Sequence, residues 1–124
     1  MRKTYYPDNA VTAGPYSPAV DSGDLVFLSG QIPLDSSTGK LVEGDIAVQT
    51  RQCFQNIKVI LKAAGLTLDH VVKVTVYLTD INDFKAMNEV YAEQFSSPYP
   101  SRTAIAVAAL PLGAQLEIEV IAKK

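Results

Sequence analysis

Alternation of apolar and polar positions is clearest at the end of the chain. SRTAIAVAAL, a Pro-x-Gly break and then AQLEIEVIAK make up residues 101–123. A period of two in the second run sets Leu116, Ile118 and Val120 on one face and Glu117, Glu119 and Ile121 on the other. Two strands are expected, and a tight turn over 111–114 predicts an antiparallel hairpin in which Arg102 faces Lys123. Arg102 and Glu117 would then stand about six residues apart on one ladder, roughly 20 Å at ~3.3 Å per residue. That is too far for one site within a chain, although neighbouring subunits could supply the two charges together.

Upstream, the first 23 residues read as a short strand, a stiff loop and a second extended piece at Ala19–Asp21. Prolines on both sides of Tyr16-Ser17 exclude helix from the loop, Gly14-Pro15-Tyr16-Ser17-Pro18. LVFLSG (25–30) predicts a buried strand, DSSTG (35–39) a turn, and 40–42 an edge segment. Asp45 is placed as an N-cap and Gly65 as the residue just past a long helix. Ile46, Thr50, Cys53, Phe54, Ile57, Ile60, Leu61 and Ala64 fall on one stripe at three- and four-residue spacing. Gln49, Gln52, Gln55, Lys58 and Lys62 are assigned to the wet side. VVKVTVYLT (71–79) is dense in β-branched residues and reads as a strand. Asn82 or Asp83 caps a second helix with the stripe Phe84, Met87, Tyr91 and Phe95, which the Ser-Ser-Pro-Tyr-Pro run ends.

The order β-β-β-α-β-α-β-β predicts an α+β domain: a six-stranded mixed sheet with two helices on one face. The uncovered face is expected to carry Ala104, Ala106, Ala108, Ile121 and much of 71–79. Such a surface is apolar enough to predict an oligomer whose sheets pack inward, with clefts between subunits.

With 124 residues, the chain has the size of one domain. Apolar residues make up 48% and charged residues 19%, which argues against disorder. The net charge of −2 and the lack of a basic stripe argue against nucleic acid, and no uninterrupted apolar run is long enough to span a membrane. One Cys and one His are too few for a structural zinc site or a disulfide framework. The N-terminus lacks an apolar run after its charges, so no secretory leader is expected, and the cytoplasm is the compartment predicted.

Among candidate chemical groups, Arg102 offers a permanent cation whose fork matches a carboxylate, against the alternative of a surface charge opening a strand. Glu117 could hold or deprotonate a water if desolvated, against the alternative of a solvated strand carboxylate like Glu119. Tyr16 offers a phenol able to cap a pocket, and Ser29-Gly30 a hydroxyl and an unhindered backbone N–H. His70 lies beside Asp69, but Ser29 has no G-x-S-x-G elbow, which disfavours a Ser-His-Asp triad. Cys53, on the apolar stripe, is assigned to the core.

Five segments in order carry a resemblance: Gly14-Pro15-Tyr16-Ser17-Pro18, Leu28-Ser29-Gly30-Gln31-Ile32-Pro33, Met87-Asn88-Glu89-Val90-Tyr91, Pro100-Ser101-Arg102, and Leu110-Pro111 through Glu117-Ile118-Glu119. Together, over the whole chain, they resemble the RidA (YjgF) family of reactive-intermediate deaminases. The resemblance implies a chorismate-mutase-like fold, a homotrimer with clefts between subunits, and no metal or organic cofactor. It also implies hydrolysis of 2-aminoacrylate, 2-iminopropanoate and 2-iminobutanoate to 2-keto acids and ammonia. Arg102 would clamp the substrate carboxylate and Glu117 would orient the attacking water. Tyr16, Ser29, Gly30, Asn88 and Ala104 would line or support the substrate site. Ala104 departs from the Cys that many members carry, so a role through its backbone carbonyl would survive here and a thiol role would not. Pro18, where many carry Gln, is a second departure.

Two other functions compete. The same cleft could hold a 2-keto acid as a sensor without turnover. Some relatives are linked to RNA cleavage, which the acidic balance of this chain disfavours.

Overall fold

The computed structural model describes residues 1–8, 10, 12 and 14–124. Strands β1 (Lys3–Tyr5), β2 (Ala19–Asp21) and β3 (Leu25–Leu28) lead to a small ribbon of β4 (Leu34–Asp35) and β5 (Lys40–Leu41). Helix α1 (Ile46–Ala63), β6 (Val71–Leu78), α2 (Phe84–Gln94), β7 (Ser101–Ala106) and β8 (Leu116–Lys123) follow. The main sheet has the order β1-β2-β3-β8-β6-β7, with β6 and β7 parallel and the other neighbours antiparallel. The α+β class, the mixed six-stranded sheet and the two helices agree with expectation.

The predicted C-terminal hairpin does not form. β6 separates β7 from β8: Val74 pairs with Arg102 on one side and Val120 on the other. Burial explains the order. In β8 every second residue from Leu116 to Ala122 is buried, whereas all six residues of β7 are partly or fully exposed. β8 therefore takes an inner position and β7 an edge. Residues 107–115, with Leu112 in the left-handed region (φ 57°), carry the chain across the end of β6 instead of turning tightly. The β6-α2-β7 unit places parallel neighbours through a helical crossover.

Both helices cover the sheet face formed by Val26, Val74, Val76, Leu78, Leu116, Ile118 and Val120. Asp45 caps α1 as expected, its Oδ1 accepting from Val48 N–H at 3.0 Å. Gly65, at φ 75°, closes the other end, with Leu66 N–H donating to the Leu61 carbonyl at 2.8 Å and Gly65 N–H to that of Lys62. Gln49 is not on the wet side: it is buried, its amide donating to the Gly44 carbonyl at 3.0 Å. Asp83 occupies the N-cap position of α2 without a side-chain cap bond, while Asp80 caps the preceding 3₁₀ turn.

Ala104 and Ala106 pair with Val76 and Leu78, which places them on the helix side of β7 and not on the uncovered face. The uncovered face instead alternates Phe27, Ile105 and Ile121 with Lys73, Thr75 and Glu119, a mixed rather than uniformly apolar surface. Phe27 and Ile105 are nonetheless 42% and 44% exposed.

Candidate active site

Arg102 opens β7 opposite the buried Val74, so its side chain rises on the helix side of the sheet. There α2 presents Phe84, Asn88 and Tyr91, spaced four and then three residues apart and so on one face of the helix. The guanidinium carbon lies 4.5 Å from the Tyr91 ring centroid and 5.5 Å from that of Phe84. Arg102 Nη1 donates to Asn88 Oδ1 at 2.5 Å. Contact of a cation with a ring face contributes ~0.5–2 kcal/mol according to its exposure and uses none of the N–H groups. A guanidinium has five N–H donors, and among the described residues one atom, Nη1, has a side-chain partner. Ala104, two residues on and on the same face, is half-buried against the core.

Glu117 lies on the other side. It pairs with Tyr77, whose neighbours Val76 and Leu78 face the core, so both side chains point to the uncovered face. Its carboxylate sits over Gly30: a Cβ at that position would approach Glu117 Oε2 to 2.6 Å. Partial burial, and then the nearby Glu119 charge, push the Glu117 carboxyl above the ordinary glutamate range. Glu119 itself accepts from the Tyr77 hydroxyl, whose pKa is pushed up to about 12, chiefly by that bond.

Ser29 joins this second group to the Pro-bracketed loop. Its hydroxyl donates to the Ser17 carbonyl at 2.7 Å, and its N–H to the Pro18 carbonyl at 2.9 Å. The Ser29 proton is thus committed to the loop, and the hydroxyl can offer a ligand only its oxygen lone pairs. Tyr16 stands in that loop, 46% exposed.

The candidate residues therefore form two sets. Arg102, Asn88 and Ala104 share the helix side at the sheet edge; Glu117, Gly30, Ser29 and the Tyr16 loop share the other side. The sets are offset by three positions along β6, from Val74 to Tyr77.

His70 has a local structural task, its Nδ1 accepting from Thr67 N–H at 3.0 Å in a capping box, which leaves no support for a triad. Cys53 is wholly buried, and burial pushes its thiol pKa up. Among the described residues, no group of three His, Cys, Asp or Glu side chains could hold a metal ion, and no helix is long and apolar enough to cross a membrane. The sequence reading missed the ring cradle around Arg102, because Phe84 and Tyr91 fit an apolar helix stripe equally well. Asn88 between them was the available signal: a polar residue set into that stripe.

A family model described as Endoribonuclease L-PSP matches residues 7–124. The chain belongs to the RidA (YjgF) family. Its RidA relatives carry several names. A RutC family protein of Pyrococcus horikoshii is 52% identical over 125 residues, covering 100% of this chain and 99% of that one. Human 2-iminobutanoate/2-iminopropanoate deaminase is 50% identical over 109 residues, covering 88% of this chain and 80% of that protein. The crystal structure of RidA from the Antarctic bacterium Psychrobacter sp. PAMC 21119 superposes with a TM-score of 0.94 at 47% identity, covering 99% and 100% of the two chains.

Proposed function

We propose that the protein hydrolyses reactive enamines and imines, converting 2-aminoacrylate, 2-iminopropanoate and 2-iminobutanoate to 2-keto acids and ammonia. The observation that carries this reading is the Arg102 guanidinium, braced by Asn88, Tyr91 and Phe84 with N–H donors still unspent among the described residues. A braced cation of this kind suits the carboxylate that all three compounds share. The 50% identity to a human protein named for this activity supports the same reading.

Glu117 is the group for the water. In the protonated imine, which 2-aminoacrylate becomes by taking a proton from water at C3, the C2 carbon is electrophilic, so a placed water adds to it, forming the C–O bond as Glu117 takes a proton. Glu117 returns that proton to the nitrogen of the carbinolamine. The C–N bond then breaks with its electron pair on nitrogen, ammonia takes up the hydroxyl proton, and a 2-keto acid remains. No cofactor enters this scheme. Tyr16 closes the pocket, and Ser29, Gly30 and the Ala104 backbone line it.

One chain holds Arg102 and Glu117 on opposite sides of its sheet, so the complete site requires two chains. A cytoplasmic homotrimer, with the uncovered sheet faces turned inward and the β7 edge of each chain against its neighbour, supplies three such clefts.

The test is a coupled assay in which a dehydratase generates 2-aminoacrylate or its butyrate homologue and 2-keto acid release is followed. Acceleration by this protein that Arg102→Ala abolishes is the expected result. Binding of 2-ketobutyrate without acceleration would replace the enzyme reading with a 2-keto acid sensor.

A further inference from the structure

Tyr91 carries a hydroxyl that its packing in the core does not explain. It is 94% buried, and its hydroxyl has no hydrogen-bond partner among the described residues. An unpartnered buried hydroxyl is a destabilising feature, and a phenylalanine would fill an apolar slot without it. What the residue does make is a ring face for Arg102, 4.5 Å from the guanidinium carbon and closer than that of Phe84.

That ring cannot turn away. It meets Phe54 edge-on at a centroid distance of 5.9 Å and Phe95 at 5.0 Å, and Phe54 and Phe95 meet each other at 5.7 Å. Three aromatic side chains from α1, α2 and the end of α2 thus lock a platform under a long and otherwise flexible arginine. Holding the guanidinium before a ligand arrives removes an ordering cost from binding.

We propose that Tyr91 is a positioning residue for Arg102, and that the face of its ring, not its hydroxyl, sets the guanidinium for a carboxylate-bearing ligand. This rests on the reading of Arg102 as a carboxylate clamp. Asn88 fixes one end of the guanidinium and the ring holds its centre, while the other N–H groups have no side-chain partner among the described residues.

The probe is 2-ketobutyrate, with its Kd measured by calorimetry on the intact oligomer. Tyr91→Leu raises Kd about tenfold, within the range a cation–ring contact commands. Tyr91→Phe, which keeps the ring, restores the affinity that Leu loses. Phe95→Leu disturbs the same aromatic packing without facing Arg102 and leaves Kd within about twofold. If Tyr91→Leu fails to fold, pentafluorophenylalanine at position 91 keeps the shape, reverses the ring's electrostatics, and raises Kd. An equal loss in Phe95→Leu, or an affinity for the pentafluoro ring equal to that of Phe, would overturn the proposal. Failure of the wild-type protein to bind 2-ketobutyrate would overturn the clamp reading itself. In that event the Arg102 Nε–H resonance decides the platform role: an unchanged, ordered signal in Tyr91→Leu refutes it.

Discussion

Arg102 and Glu117 project from opposite faces of one sheet, on the two strands that flank β6. The arginine is held by α2 on the covered side, and the glutamate lies over Gly30 on the uncovered side. Each is prepared separately: the cation by rings and an amide oxygen, the carboxylate by partial burial beside a second acid.

Loss of the cation should act on binding. Arg102→Ala removes the proposed carboxylate clamp, and a charge-assisted contact of that kind contributes about 1.5–3 kcal/mol, so kcat/KM and 2-ketobutyrate affinity should fall at least tenfold. Arg102 is half-exposed at a sheet edge, so the fold and Tm should change little. Circular dichroism beside calorimetry separates the two effects.

Glu117→Gln should keep ligand binding and reduce kcat by roughly 10²–10⁴, the contribution of a placed general base. The pH profile gives the sharper check. In the proposed mechanism Glu117 works as a carboxylate, so activity should fall as pH drops through its raised pKa, placing the acid limb above the ordinary glutamate range. Part of that elevation comes from Glu119, so Glu119→Gln should move the limb to lower pH. A limb that stays in place would remove Glu119 from the electrostatics of the site.

Gly30→Ala tests the space that the carboxylate occupies. The added methyl would lie 2.6 Å from Glu117 Oε2 and must displace it. A displacement on the order of 1 Å can reduce turnover about 10²-fold, and Gly30 is not among the residues with positive φ, so the backbone tolerates alanine. The expected outcome is a folded protein with low kcat and nearly unchanged 2-ketobutyrate affinity.

Asp21 supplies a stability prediction away from the site. Its carboxylate accepts from the Tyr5 hydroxyl at 2.7 Å, Gly23 N–H at 2.8 Å and Lys124 Nζ at 2.9 Å, tying β1, β2 and the chain's last residue together. These bonds, the Tyr5 hydroxyl first, hold its pKa well below the usual aspartate range. A depressed folded-state pKa stabilises the protein above the unfolded-state value, and that stabilisation is lost as pH falls through the folded one. Asp21→Asn should therefore lower Tm at neutral pH, with the gap from wild type closing only under acid conditions. Thermal melts across pH measure this directly.

Local signals were legible in the sequence where chain neighbours decide the outcome. Asp45 and Gly65 bounded α1 because a cap bond and a left-handed turn involve residues a few positions away. The period of two in β8 assigned Glu117 and Ile118 to opposite faces. Strand order was not legible, since alternation says which residues share a face and not which strand lies alongside. Pro111-Leu112-Gly113 carries the signature of a tight turn, but it sits within the nine residues 107–115 that cross the end of β6. The faces of Ala104 and Ala106 were misassigned for the same reason. Arg102 and Glu117 were identifiable as candidates; their placement on opposite faces depends on β6 lying between their strands, which only the pairing reveals.

The most direct test of the account mixes two inactive proteins. Arg102→Ala chains keep Glu117, and Glu117→Gln chains keep Arg102, so under the proposed shared site a mixed oligomer would contain some clefts with both groups intact. With random assembly of equal amounts, ~1/4 of clefts are complete in a cyclic oligomer. After joint denaturation and refolding, imine hydrolysis in the coupled dehydratase assay should return to about that fraction of wild type. Activity that stays at the level of the separate mutants would contradict a site shared between subunits by Arg102 and Glu117.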